Sequence, residues 1–312
     1  MFEALGDMSL DLLRAFEAAA RLRSFTAAAI ELGTTQPAVS QQIKRVEARI
    51  GMPLVSRAGR GIRLTDAGEV LARHAGAVLT ALDTAAGELS DLAGLRSGRV
   101  RLSAFPSASS TIVPRLITGM AAEHEGVRFT YFEAEPPESV AAVRDGLCDL
   151  AIAFRYPADP HDAFQGSVEG LEVHELARDE VVLLAPTAHP ALAEPGPVDL
   201  GLLREENWIA GCPRCRSHLL DSCARSGFAP AIAFETDNVV AVESMVAAGL
   251  GVALLPGLAL AASALPAGVD ARPTAGGDHR IVVAVTRPGA AQIPAVGETL
   301  RLLRATVAAH PL

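Results

Sequence analysis

The sequence predicts an α/β chain in three parts: three short helices and a small hairpin over residues 1–65, one long helix over residues 66–96, and a larger domain of alternating strands and helices over residues 97–312. Three observations predict it. Apolar residues recur at helical spacing through residue 50 and then as an unbroken heptad seam. After Ser97-Gly98 short strands alternate with helices, the pattern of α/β layers with largely parallel sheets. Charge is divided to match: residues 1–65 carry nine basic and six acidic side chains, residues 97–312 sixteen and twenty-five. The chain as a whole, 27 basic against 36 acidic residues, is not coated in positive charge, so the basic first segment alone suits a polyanion.

In the first part, Leu10, Leu13, Phe16 and Ala20 mark one helix. Ser24 is an N-cap for a second, Phe25 to Leu32, which stops at Gly33. Thr35 caps a third, with Pro37 in its first turn, where a missing N–H does no harm, and Gly51 at its end. Val39, Ile43, Val46 and Ile50 give that helix one apolar face and leave Gln36, Ser40, Gln41 and Lys44 on the other. Leu54–Arg57 and Gly61–Leu64 flank Ala58-Gly59-Arg60 as a hairpin or wing.

From Asp66 to about Leu95 the chain reads as one helix. Leu71, Ala75, Val78, Leu82, Ala85, Leu89 and Leu92 follow a 4,3 spacing for three heptads, which calls for a partner helix and hence a homodimer; packing against the chain's own core is the alternative.

Beyond residue 97, strands are expected at Val100–Ala104, Val127–Phe132, Leu150–Phe154, Glu180–Ala185, Trp208–Ala210, Ala231–Glu235, Val252–Leu255 and Arg280–Thr286. Helices are expected at Ser110–His124, Glu138–Asp145, Arg216–Ser226, Asn238–Ala248 and Ala295–Ala309. So much α/β structure suggests two lobes. Ser244 to Val269 lacks charge and is long enough to span a bilayer, but Gly249, Gly251, Pro256, Gly257, Pro266 and Gly268 break it into helix, turn, buried strand and loop. No secretion signal is visible at the N-terminus, so a cytoplasmic location with no membrane partner is the expectation.

A helix that reads the major groove needs side chains for base edges and cations for phosphates. The third helix offers Gln36, Ser40 and Gln41 for bases, with Lys44 and Arg45 one turn later and Arg57, Arg60 and Arg63 on the wing. Double-stranded DNA is therefore the expected partner, a solvated polar helix face the alternative.

These residues carry a resemblance. Leu12-Leu13-Arg14-Ala15-Phe16, Ser24-Phe25-Thr26-Ala27-Ala28-Ala29, Thr35-Gln36-Pro37-Ala38-Val39-Ser40-Gln41-Gln42-Ile43, Glu47, Gly51, Pro53-Leu54, Arg57, Arg60 and Leu64-Thr65-Asp66-Ala67-Gly68 stand in order and spacing similar to the N-terminal domain of LysR-type transcriptional regulators. The resemblance implies a winged helix-turn-helix, a dimerising linker helix and a two-lobed effector domain of periplasmic-binding-protein type. It further implies homotetramers on promoter DNA, a small-molecule effector in the interlobe cleft, and RNA polymerase as a possible partner. It assigns Gln36, Pro37, Ser40 and Gln41 to bases, and Arg57 and Arg60 to phosphates or the minor groove, with Thr35, Lys44 and Arg45 beside them.

In the effector domain, Ser107, Ser109 and Ser110 precede an expected helix, either as N-caps or as donors to an anion. The resemblance places them, and Arg155 at the end of its strand, at the effector pocket. Relatives often keep a small hydroxyl residue before the helix at Glu138; here Pro136 stands in that place with Glu135 beside it. On the second lobe, Gly211 and Cys212, with Thr236 and Asp237, are expected to face the same cleft.

Four cysteines (148, 212, 215 and 223) are too few for a disulfide scaffold. Cys212, Cys215 and Cys223, near His218, leave three readings open: ordinary thiols, a redox switch helped by Arg214, Arg216 and a helix dipole, or a zinc site. Cys215 and Cys223 fall near, though one residue off, the redox pair of the family's peroxide-sensing branch. No catalytic constellation, resident metal or cofactor is expected; the rival from another class is a solute-binding or enzymatic α/β module with an incidental helical N-terminus.

Overall fold

The computed structural model describes residues 8–58, 61–92, 98–157, 164–262 and 264–309. The chain divides into two compact units, residues 1–95 in one and the bulk of residues 96–312 in the other.

The first unit holds α1 (Leu10–Leu22), α2 (Phe25–Glu31), α3 (Gln36–Ile50), strands β1 (Val55–Ala58) and β2 (Gly61–Leu64), and α4 (Asp66–Leu92). Each boundary has a local cause. Ser9, Ser24 and Thr35 sit in extended backbone, and their hydroxyls accept from N–H groups of the first turns of α1, α2 and α3. Gly51 ends α3 at φ 77°, in the left-handed region open to glycine. β1 and β2 pair antiparallel, Val55 opposite Leu64. Gly68 opens α4 so close to the wing that an added Cβ would lie 2.1 Å from the Leu54 carbonyl oxygen. The core gathers Phe16, Ala19, Ala28, Val39, Ile43, Val46, Leu54 and Ile62, with Leu71, Ala75 and Leu79 from α4.

The heptad seam of α4 is thereby divided. Its first members serve this core, while Val78 (47% exposed), Leu82 (40%) and Ala85 face solvent in the single chain. The side chains of Leu89 and Leu92 lie outside the described residues.

The second unit holds β3 (Gly98–Ala104), α5 (Pro106–Glu123), β4 (Val127–Glu133), α6 (Glu138–Arg144), β5 (Leu150–Arg155), α7 (Phe164–Ser167), β6 (Glu172–Pro186), β7 (Asn207–Ala210), α8 (Pro213–Arg225), β8 (Ala231–Glu235), α9 (Val239–Ala247), β9 (Val252–Pro256), α10 (Gly257–Leu260), β10 (Val269–Pro273), β11 (His279–Thr286) and α11 (Pro294–Ala309). The sheet order is β4-β3-β5-β11-β6-β9-β7-β8, with β10 also on β6. Two lobes share β6. Its first half pairs with β11, and its second with β9 and β10. The first lobe is packed around Leu102, Ile112, Leu116, Met120, Ile152 and Leu303, the second around Leu183, Trp208, Leu219 and Val252.

Three expectations are corrected. The sheets are mixed rather than largely parallel: β3 pairs parallel with β4 and β5, and β7 with β8 and β9, but β6 and β11 pair antiparallel with all their neighbours. The first half of β6, and β10, were not expected as strands, because Glu172-Val-His-Glu-Leu-Ala-Arg-Asp and Val269-Asp-Ala-Arg-Pro show neither clean alternation nor an apolar run. Helices α5 and α8 begin at Pro106 and Pro213, before the expected Ser110 and Arg216, since proline suits a first turn. Within Ser244–Val269 lie the end of α9 and the strand β9, and no helix among the described residues is long and apolar enough to cross a membrane.

Candidate DNA-reading face and effector cleft

On α3, Val39, Ile43 and Val46 are buried, while Gln36, Pro37, Gln41, Lys44, Arg45 and Arg49 are exposed and Ser40 is half-buried. The expected polar face is thus a real, continuous surface. Thr35 is exposed at its head, where its Oγ1 accepts from the Ala38 N–H at 3.4 Å. Arg57 lies in β1 opposite Ile62, its side chain outside the described residues, as is all of Arg60. Arg63, on β2, is exposed. A clamp joins the wing to the helix. Glu47 Oε1 accepts from the backbone N–H groups of Leu54 (2.8 Å) and Val55 (3.2 Å), so the wing is positioned from the helix's own side.

The cleft is organised around Arg280, which sequence reasoning left without a role. It is buried where the chain passes between lobes. Its Nε donates to Asp179 Oδ2 at 2.8 Å and its Nη2 to Ser107 Oγ at 2.8 Å, and its guanidinium stands 4.6 Å over the rings of both Phe105 and Phe154. The available signal was an arginine heading an otherwise apolar strand. Asp179 Oδ1 also accepts from the Leu258 N–H, which completes the carboxylate's partners.

Glu135 faces this cation. Burial first, then the nearness of Cys212, pushes its carboxyl up to about 7, against the pull of Arg280 and Arg214. Its Oε2 is buried without a hydrogen-bond partner. Asp237, exposed after β8, adds to the upward push. Arg214 reaches from the head of α8 over the rings of Phe154 (4.5 Å) and Phe164 (5.8 Å). Cys212 is the N-cap of α8, and Gly211 precedes it, close to the Cys215 Cβ. Thr236 accepts from the Asn238 N–H at 3.2 Å, and Asn238 in turn caps α9.

Of the expected cleft residues, Ser107, Glu135, Gly211, Cys212 and Asp237 therefore gather about Arg280 and the head of α8. Others do not. Ser109 donates to the Phe105 carbonyl at 2.9 Å and accepts from the Tyr131 hydroxyl. Ser110 is exposed and bonds the Ser107 carbonyl. No serine here is an N-cap, because the helix starts one residue before Ser107. Arg155 is paired with Glu175 on β6, across the intervening β11, rather than gathered with these groups.

Beside the cleft, Asp278 is held by hydrogen bonds from Ser222 (2.6 Å), Thr274 and Arg225, with His218 Nε2 at 3.5 Å. Burial pushes the Asp278 carboxyl up, but these donors and charges outweigh it, and the net shift is downward. Ser222 is buried and donates a hydrogen bond to the carboxylate at 2.6 Å, with His218 Nε2 farther off at 3.4 Å from its Oγ, so Asp278 rather than His218 is the main partner of the hydroxyl and the group is a clamp. His218 stacks on Tyr156, with centroids 4.2 Å apart and planes within 8°. The zinc reading of Cys212, Cys215, His218 and Cys223 is not supported, since no group of three metal-ligating side chains converges among the described residues.

The family model of bacterial regulatory helix-turn-helix proteins of the lysR family matches residues 10–69, and that of the LysR substrate binding domain matches residues 93–308. The chain is 30% identical over 300 residues to the probable HTH-type transcriptional regulator LrrA of Synechococcus elongatus, covering 96% of this chain and 97% of that one. It is 32% identical over 245 residues to the HTH-type transcriptional regulator CbbR of Rhodospirillum rubrum, covering 78% of each. In fold it is similar to a full-length OxyR variant from Pseudomonas aeruginosa, with a TM-score of 0.73 at 22% identity over 96% of this chain and 94% of that one. With its winged DNA-binding unit and its two-lobed effector domain, the chain belongs to the LysR family of transcriptional regulators.

Proposed function

We propose that α3 enters the major groove of promoter DNA, with Gln36, Ser40 and Gln41 at base edges. Pro37 faces the bases beside them, Thr35 at the head of the helix lies against the backbone, Lys44 and Arg45 meet phosphates, and Arg57 and Arg60 of the wing take phosphates or the minor groove. The observation that carries this reading is the exposure of Gln36, Gln41, Lys44 and Arg45 opposite the buried Val39, Ile43 and Val46. Two copies join through the exposed Val78, Leu82 and Ala85 of α4, which sets two α3 helices on one dyad-symmetric site. The α/β domain extends the dimer to a homotetramer, RNA polymerase is a further contact, and the protein works as a cytoplasmic regulator rather than an enzyme.

The cleft takes a small carboxylate effector. Buried arginine charge from Arg280, the neighbouring Arg214, and a Glu135 that is readily neutral support an anion there. The effector acts by binding one interlobe geometry better than another, a population shift. Footprinting on the DNA upstream of the gene tests the reading. A protected dyad-symmetric site is expected, weakened when Ser40 and Arg57 are both changed to Ala. Unchanged protection in that double variant, or a lone subunit at every concentration, refutes it.

A further inference from the structure

The head of α8 carries two sulfurs in contact. Cys212 Sγ donates to Cys215 Sγ at 3.2 Å, and the Tyr156 hydroxyl donates to the same Cys215 sulfur at 3.5 Å. A disulfide bond is about 2.05 Å long, so closure asks for roughly 1 Å of approach between side chains three residues apart. Cys212 is the N-cap residue, and its Sγ accepts from the Cys215 N–H at 3.5 Å, so its side chain is already turned toward Cys215. Cys215 sits in the first turn, where the unbonded N–H groups and the positive end of the helix favour an anion.

The two thiols are unequal. The hydrogen bond from Cys212 holds the Cys215 thiol below the ordinary range, against the opposing effect of burial, with Arg280 and Tyr156 adding to the fall. Cys212 is pushed up by that same hydrogen bond and by burial. One is therefore set to be the nucleophile and the other to supply the second thiol. The remaining cysteines are not so placed. Burial pushes Cys148 up to about 11, and burial with the Asp278 charge pushes Cys223 up to about 12. Cys223 is packed in the second lobe's core with Trp208 and Leu219.

We propose that Cys212 and Cys215 form a reversible dithiol–disulfide couple in the wall of the effector cleft, oxidised by thiol–disulfide exchange with a low-molecular-weight disulfide. The Cys215 thiolate attacks one sulfur of the disulfide RSSR; that S–S bond breaks, and RS⁻ leaves and takes a proton from solvent. Cys212 then gives up its proton, and its sulfur attacks Cys215 Sγ in the mixed disulfide, expelling the second RS⁻, which takes that proton. Two cysteine thiols are oxidised to one disulfide and one RSSR is reduced to two thiols. Closure removes the negative charge that the Cys215 sulfur carries when ionised beside Arg280, so the oxidised cleft is more positive toward an anionic effector. That last consequence rests on the effector reading above; the chemistry does not, and its test needs neither DNA nor effector.

The full-length protein is equilibrated in buffers from fully reduced to fully oxidised glutathione, acid-quenched and alkylated, and its peptides are read by mass spectrometry. A Cys212–Cys215 disulfide replacing both alkylated thiols in one transition is expected, unchanged in Cys223→Ser. In Cys212→Ser, glutathione is expected to accumulate on Cys215, and in Cys215→Ser its addition to Cys212 is at least tenfold slower. Two alkylated thiols at 212 and 215 across the whole series, a disulfide that includes Cys223, or faster addition at Cys212 overturns the proposal. The wild-type peptide map decides the first two outcomes without any variant.

Discussion

On α3 the polar side chains Gln36, Gln41, Lys44 and Arg45 stand exposed on a helix whose fold rests on Val39, Ile43 and Val46, whereas in the cleft Arg280, Asp179 and Ser107 are buried and bonded to one another. The first region separates recognition from stability: its face can change without disturbing the core beneath. The second combines them. A buried cation is tolerable only with its partners in place, so the groups that would meet an effector also hold the first lobe's interior together. Regulators that share such a fold can change their DNA sites residue by residue, but a change of effector must preserve a satisfied interior.

The comparison breaks most sharply at Arg280. Arg280→Met leaves Asp179 charged and buried, and about 3–5 kcal/mol of stability is lost, measured by urea unfolding. A loss under 1 kcal/mol would place the cleft with the exposed helix. On α3 the expected pattern is the reverse. Gln36→Ala and Gln41→Ala each weaken operator binding by about 1–3 kcal/mol if they read bases, with unfolding free energy within about 0.5 kcal/mol of the parent. Lys44→Ala weakens binding to all sequences alike and lowers the salt slope by about one. Fluorescence anisotropy at several salt concentrations separates these effects.

Glu135 sharpens the contrast through pH. Its carboxyl is raised by burial to about 7 in the folded chain, against about 4.3 in a free glutamate. A raised value favours the fold while the group is protonated in both states. Stability is therefore lost as pH climbs from about 4.3 through about 7, and is level above that. Glu135→Gln removes this slope, so melting temperatures of parent and variant diverge across that window in favour of the variant. Parallel curves would show the carboxyl to be ordinary. The smallest effect is at a helix boundary: Ser24→Ala removes the cap bonded to the Ala27 N–H and costs about 1 kcal/mol, without altering DNA contacts beyond that loss. A shift in sequence preference would contradict it.

The same contrast governs what was legible in the sequence. In the first unit the signals are local. Ser24 and Thr35 cap the helices that follow them, Gly33 and Gly51 stop them, and the 3,4 spacing of Val39, Ile43, Val46 and Ile50 assigns the buried face without knowledge of any other segment. The cleft is non-local. Ser107, Glu135, Asp179, Arg214 and Arg280 come from five separate elements or loops, and nothing near Arg280 in the chain announces a carboxylate a hundred residues earlier. Arg155 shows the same limit: a strand-end arginine looks alike in sequence whether it faces a ligand or pairs with a carboxylate, and here it pairs with Glu175 of β6. The seam of α4 is visible in the sequence as a stripe, but its division between the domain's own core and an exposed remainder depends on where α1 lies.

Strand β6, Glu172–Pro186, belongs to both lobes without a break, its backbone bonded first to β11 and then to β9 and β10. The lobes are thus welded along a common beam rather than joined by slack loops. Such a body opens by twisting through small angles, because a wide gape would tear ladder bonds on both sides of the beam. An effector that favours one interlobe geometry would work against that stiffness, and the change it drives would be a slight rotation.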